Sequence, residues 1–74
     1  YYMRKKNKIK IKVNGRLINI KISTTLKDLL LTKKIPINKV AIELNNKIVN
    51  KSKINNIYLN EKDKVEIVHF IGGG

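Results

Sequence analysis

Seventy-four residues, 42% of them hydrophobic, with no cysteine and one proline, make a single small domain, because so short a chain cannot divide its apolar residues between two cores. Seventeen Lys and Arg against five Asp and Glu give a formal charge of +12, yet the apolar content is too high for a disordered basic tail. These numbers exclude a multidomain enzyme, a disulfide framework, a thiolate nucleophile and a cysteine-based zinc site.

No apolar run approaches the roughly 20 residues that cross a bilayer, and the uninterrupted apolar core of a secretory signal is missing from the first residues, so the chain reads as soluble. Tyr1 and Tyr2 precede Met3 and carry no weight in the fold reading. The lysines are spread along a chain that is also rich in Asn and Ile. The charge therefore reads first as ordinary solvated lysines in an A+T-biased composition, against a footprint for nucleic acid or an acidic protein.

Ile9, Ile11 and Val13 alternate with Lys8, Lys10 and Lys12, and Ile18, Ile20 and Ile22 resume the period of two, which predicts two half-buried strands. Asn14-Gly15 between them is the strongest short hairpin signal, since a type I′ turn needs φ > 0 at both central residues. A two-residue loop there pairs Val13 with Arg16, Ile11 with Ile18 and Ile9 with Ile20, placing the apolar residues of both strands on one face.

Thr25 then suits the N-cap of a helix of about nine residues, with Asp28 completing a shortened capping box. Leu26, Leu29 and Leu30 form its apolar stripe, Lys33 and Lys34 suit its negative end, and Pro36 forbids continuation past Ile35. So short a helix must be packed on a sheet. Val40–Leu44 reads as a third strand, Asn45-Asn46 as a turn and Lys47–Val49 as a short return strand. Asn50 to Asn60 reads as irregular, anchored by Ile54, Ile57, Tyr58 and Leu59, and Val65–Ile71 as a central strand because its apolar run is the most continuous.

Hairpin, helix, strand, short strand, irregular stretch, strand is an α+β order, the β-grasp plan, with a mixed sheet of four to five strands on one short helix. The domain is expected over residues 3–71, with 72–74 a flexible tail. His69 is the only histidine and the five acids are scattered, so neither a Ser-His-Asp relay nor a histidine-rich metal cluster can be built, and no catalytic residue is expected. His69 reads as a strand residue that meets solvent. What carries chemistry is the end: Gly72-Gly73-Gly74 lacks side chains and can thread through a narrow channel, offering a carboxylate at Gly74. A carboxylate is a poor electrophile, so its use as a group carrier requires ATP-dependent activation to an acyl-adenylate.

Val13-Asn14-Gly15, Thr25–Leu30, Val40–Asn45, Ile48-Val49 and, above all, Asp63–Gly74 resemble the ThiS sulfur carriers of thiamine biosynthesis, a ubiquitin-like β-grasp family. Two positions depart from the family's pattern: Asn50 stands where a proline is common, and Lys62 where a glycine usually precedes the Asp. The resemblance implies a protein co-substrate that binds no cofactor of its own. A ThiF-like enzyme would adenylate Gly74 with ATP, a relay fed by a cysteine desulfurase would convert it to a thiocarboxylate, and thiazole synthase, ThiG, would take the sulfur. Gly72 and Gly73 would lie in the partners' channels, and Phe70 with Ile71 would dock, unless Phe70 is core in a strand buried on both faces. A free monomer in bacterial cytoplasm or plastid stroma is expected.

Three other readings compete. A MoaD-like carrier for molybdopterin synthesis also ends in two glycines, and a ubiquitin-like modifier shares the adenylation step. A small basic RNA-binding β domain is favoured by charge alone, since one Phe and three Tyr supply no interleaved stacking platform.

Overall fold

Alternating Ile and Lys, turned back at Asn14-Gly15, build the first hairpin in the computed structural model, which describes residues 7–70. Strand β1 (Lys8–Val13) pairs antiparallel with β2 (Arg16–Lys21) in the expected register, with Ile9 opposite Ile20, Ile11 opposite Ile18 and Val13 opposite Arg16. Asn14 and Gly15 have φ of 49° and 83°, the left-handed values that a type I′ turn demands. The second hairpin repeats the device: Asn45 and Asn46, at φ 52° and 73°, join β3 (Val40–Leu44) to the two-residue β4 (Lys47–Ile48).

Helix α1 (Leu26–Thr32) is two residues shorter than the periodicity suggests. Its start is the expected capping box: Asp28 N–H donates to Thr25 Oγ1 at 3.0 Å, and Thr25 N–H donates to Asp28 Oδ2 at 3.1 Å. Lys33 is its C-cap, so the two lysines lie at and beyond the end of the helix and the last turn itself carries no base. The start is also fastened to the following chain, because Leu26 N–H donates to the Ile57 carbonyl at 2.8 Å and Leu59 N–H to that of Thr24 at 2.9 Å.

Strand β5 (Lys64–His69) lies in the middle of a five-stranded sheet ordered β2-β1-β5-β3-β4. It runs parallel to β1, with Val65 beside Val13, and antiparallel to β3, with Ile67 beside Ile42. One face of the sheet carries Ile11, Val13, Val40, Ile42, Val65 and Ile67, and this face packs on Leu26, Leu29, Leu30, Ile54 and Leu59 to make the core. The other face has no helix over it among the described residues. The architecture is the expected α+β sheet on one helix.

Three local expectations are corrected. Asn50–Asn60 is not wholly irregular: a 3-10 helix covers Lys51–Asn56, and another precedes β3 at Ile37–Lys39. Tyr58 is 59% exposed and not a core anchor, because the extended backbone at 57–59 turns Ile57 and Leu59 inward and the residue between them outward. The last strand begins at Lys64 and ends at His69, so Phe70 follows it and Ile71 lies outside the described residues. Both departures from the family's pattern are accommodated. Asn50 caps the 3-10 helix by accepting from Ser52 N–H at 2.9 Å, and Lys62 takes φ 72°, the conformation that glycine adopts without strain.

Candidate functional site

The candidate site is the tail root, the end of β5 at His69 and Phe70, after which Ile71 and Gly72-Gly73-Gly74 follow in the sequence. Of the residues that the sequence singles out, Phe70 is described and exposed, while Ile71, Gly72, Gly73 and Gly74 lie outside the described residues. The position of the root is set by backbone pairing. β5 continues past β1 with β3 on its other side, up to His69 opposite Val40. One further bond, from Phe70 N–H to the Lys39 carbonyl at 3.0 Å, holds the chain extended at the point where the tail begins.

On the β1 side the strand has already ended at Val13, and a side chain takes over the pairing. Asn14 Nδ2 donates to the Ile67 carbonyl at 3.1 Å, and Ile67 N–H donates to Asn14 Oδ1 at 2.7 Å. The hairpin turn that reverses the first two strands is thus also the latch on the strand that delivers the tail. At the base of β5, Asn45 acts similarly, accepting from Lys64 N–H at 2.9 Å and donating to Asp63 Oδ1 at 3.0 Å.

The expectation of a last strand buried on both faces does not hold. Alternation sends Val65 and Ile67 into the core and Glu66 and Val68 to the open face, where Val68 is 61% exposed beside Ala41. Phe70 is 55% exposed, which removes the core reading for it. Its ring is covered only in part, by Lys51 with Nζ 5.2 Å from the centroid. Ile48, more exposed still, stands on the same open face opposite Glu43. Val68 and Phe70 thus give a partner apolar surface to bury at the end of β5, with Ile48 two strands across on the same face, in the row of Glu43 and Glu66.

His69 is exposed, as expected, on the strand next to Phe70. Among the described residues no group of three or more His, Cys, Asp or Glu could hold a metal ion, and no helix is long and apolar enough to cross a membrane. Ile48 and Val68 are surface residues that sequence reasoning did not single out. The signal available for Val68 was the alternation through Val65 and Ile67, which sends it away from the core.

The ThiS family model matches residues 5–74. The chain is 41% identical over 66 residues to a thiazole synthase of Magnetococcus marinus, a match that covers 89% of this chain and 20% of that protein. It is 35% identical over 65 residues to the sulfur carrier protein ThiS of Bacillus subtilis, covering 86% of this chain and 98% of the carrier. The chain therefore spans about a fifth of the thiazole synthase and nearly all of the carrier. Among solved structures, the thiamine biosynthesis protein ThiS of Geobacter metallireducens superposes with a TM-score of 0.78 at 26% identity, covering 89% of this chain and all of that one.

Proposed function

We propose that this chain, which belongs to the ThiS family, is a sulfur carrier for thiamine biosynthesis whose Gly74 carboxylate is adenylated and then converted to a thiocarboxylate. The observation that carries the reading is the match to a sulfur carrier over nearly its full length, in a sequence whose own last strand runs into Gly72-Gly73-Gly74.

In the first step a Gly74 carboxylate oxygen attacks the α-phosphorus of ATP, and pyrophosphate leaves. The resulting acyl-adenylate is an electrophile, and the terminal sulfur of a persulfide on the relay displaces AMP to give an acyl disulfide. A thiol then attacks the relay's sulfur, breaking the S–S bond so that the thiocarboxylate leaves and a disulfide remains. Without Cβ atoms, Gly72 and Gly73 let the tail pass extended through a narrow channel, and Gly74 sets no side chain against the attacking atom. The ATP site and the catalytic groups belong to the partner, a ThiF-like enzyme, and the sulfur comes from a cysteine desulfurase relay. This chain supplies the substrate carboxylate, a fixed tail root at Phe70 and an apolar surface beside it. The thiazole synthase ThiG is the proposed acceptor of the sulfur.

ATP–pyrophosphate exchange by a ThiF-like enzyme tests the first step. Exchange should depend on this chain and disappear when Gly74 is deleted. Exchange that persists with the deletion would overturn Gly74 as the acceptor.

A further inference from the structure

The open face of the sheet is electrically divided. On the β2–β1 half, alternation brings Lys8, Lys10 and Lys12 of β1 to the same side as Leu17 and Lys21 of β2, and the parallel register adds Lys64 of β5. Two acids of the face, Glu43 and Glu66, stand opposite each other on the β3–β5 half, while Glu61, which accepts from Lys10 N–H at 3.1 Å, lies among the lysines at the edge of the basic half. Like charges directly opposite across strands are unfavourable. The basic half nonetheless contains Lys8 opposite Lys21 and Lys12 beside Lys64. A cost of this kind is relieved when an anionic surface is laid over the face.

The centre of this half is not charged. Leu17, 62% exposed, sits directly opposite Lys12, and an open concavity of about 460 Å³ beside it is lined by Lys10, Lys12, Glu61, Lys62 and Lys64. An apolar side chain ringed by charge is the anatomy of a protein interface, an anchor within a polar rim. Nucleic acid fits less well, because among the described residues no aromatic or arginine side chain lines the concavity to stack on a base. The place is also separate from the tail root: Lys64 and Phe70 lie at opposite ends of β5, roughly 20 Å apart in extended chain.

We infer that the β2–β1 half of the open face is a second docking surface, which takes an acidic protein surface that brings an apolar side chain to Leu17 while Lys10, Lys12, Lys62 and Lys64 pair with its carboxylates. This contact does not use the tail, so a partner can hold the protein here while Gly74 is engaged or free.

The probe is a short synthetic peptide with one leucine flanked on both sides by Asp and Glu, titrated into the full chain at low salt while backbone amide shifts are followed by NMR. Saturable shifts should concentrate on residues 10–12, 17 and 62–64. The affinity should fall about tenfold with Leu17→Ser or Lys12→Glu, and similarly when serine replaces the peptide's leucine. Deleting Gly74 should change nothing. Shifts spread over all lysines, no saturable shift on this face, or indifference to Leu17→Ser would overturn the proposal. Tighter binding of a single-stranded RNA oligonucleotide at the same residues would also overturn it, in favour of a nucleic-acid surface.

Discussion

The carboxamide of Asn14 holds both backbone groups of Ile67, accepting from its N–H at 2.7 Å and donating to its carbonyl at 3.1 Å. A turn residue chosen for φ > 0 thus also replaces the strand that β5 lacks on that side, three residues before the tail root at Phe70.

Replacing Asn14 with glycine keeps the left-handed backbone and removes the latch, with the unfolded-chain entropy of glycine adding to the loss. Leaving two part-buried backbone groups of Ile67 unpaired should cost about 1–3 kcal/mol, read as a lower urea midpoint at unchanged m-value. An unchanged midpoint would show that water or a neighbour replaces the carboxamide.

At Lys62 the opposite sign is expected. A lysine at φ 72° bears a strain that glycine avoids, while glycine gives up more unfolded-chain entropy. Lys62→Gly should therefore stabilise by about 0.5–1 kcal/mol in the same urea experiment. The Lys62 N–H bond to the Lys10 carbonyl, 2.8 Å, survives the change.

The capping box predicts a modest loss. Thr25→Ala removes the side-chain acceptor for Asp28 N–H and should cost about 1 kcal/mol. Leu30→Ala, at a fully buried position, should cost about 2–5 kcal/mol. Urea unfolding of both variants checks the order; a larger loss at Thr25 than at Leu30 would contradict it, since the backbone bridge between Thr25 and Tyr58 survives the change to alanine.

Much of this was legible in the sequence, and the reasons are particular. The first hairpin could be read to its register because two independent signals, Ile/Lys alternation and Asn14-Gly15, demand the same pairing. The central place of β5 followed from its apolar run. Tyr58 misled because an aromatic among Ile57 and Leu59 suggests core, when the backbone that pairs with Thr25 and Leu26 alternates in and out. The 3-10 helix at Lys51–Asn56 has one buried side chain, Ile54, and hence no periodicity to detect. The basic half-face was hidden for a different reason. Alternation already puts Lys8, Lys10 and Lys12 on one face, but Lys62 and Lys64, far on in the sequence, join them only once β5 is laid beside β1.

Phe70→Ala separates docking from folding. Because the ring is more than half exposed, stability should change by less than about 0.5 kcal/mol, while thiocarboxylate loading at limiting partner concentration should fall. Loading equal to that of the unaltered chain would remove Phe70 from the docking surface and leave Val68 and Ile48 to carry it.

The central claim is that Gly74 carries the sulfur, and the intact mass of the chain tests it most directly. After incubation with ATP, a ThiF-like adenylating enzyme, a cysteine desulfurase and cysteine, the mass should rise by the difference between one sulfur and one oxygen. The gain should vanish when Gly74 is deleted, with the amide spectrum of the folded domain unchanged. No gain with partners proven active on another carrier, or the same gain in the deleted chain, would contradict the account.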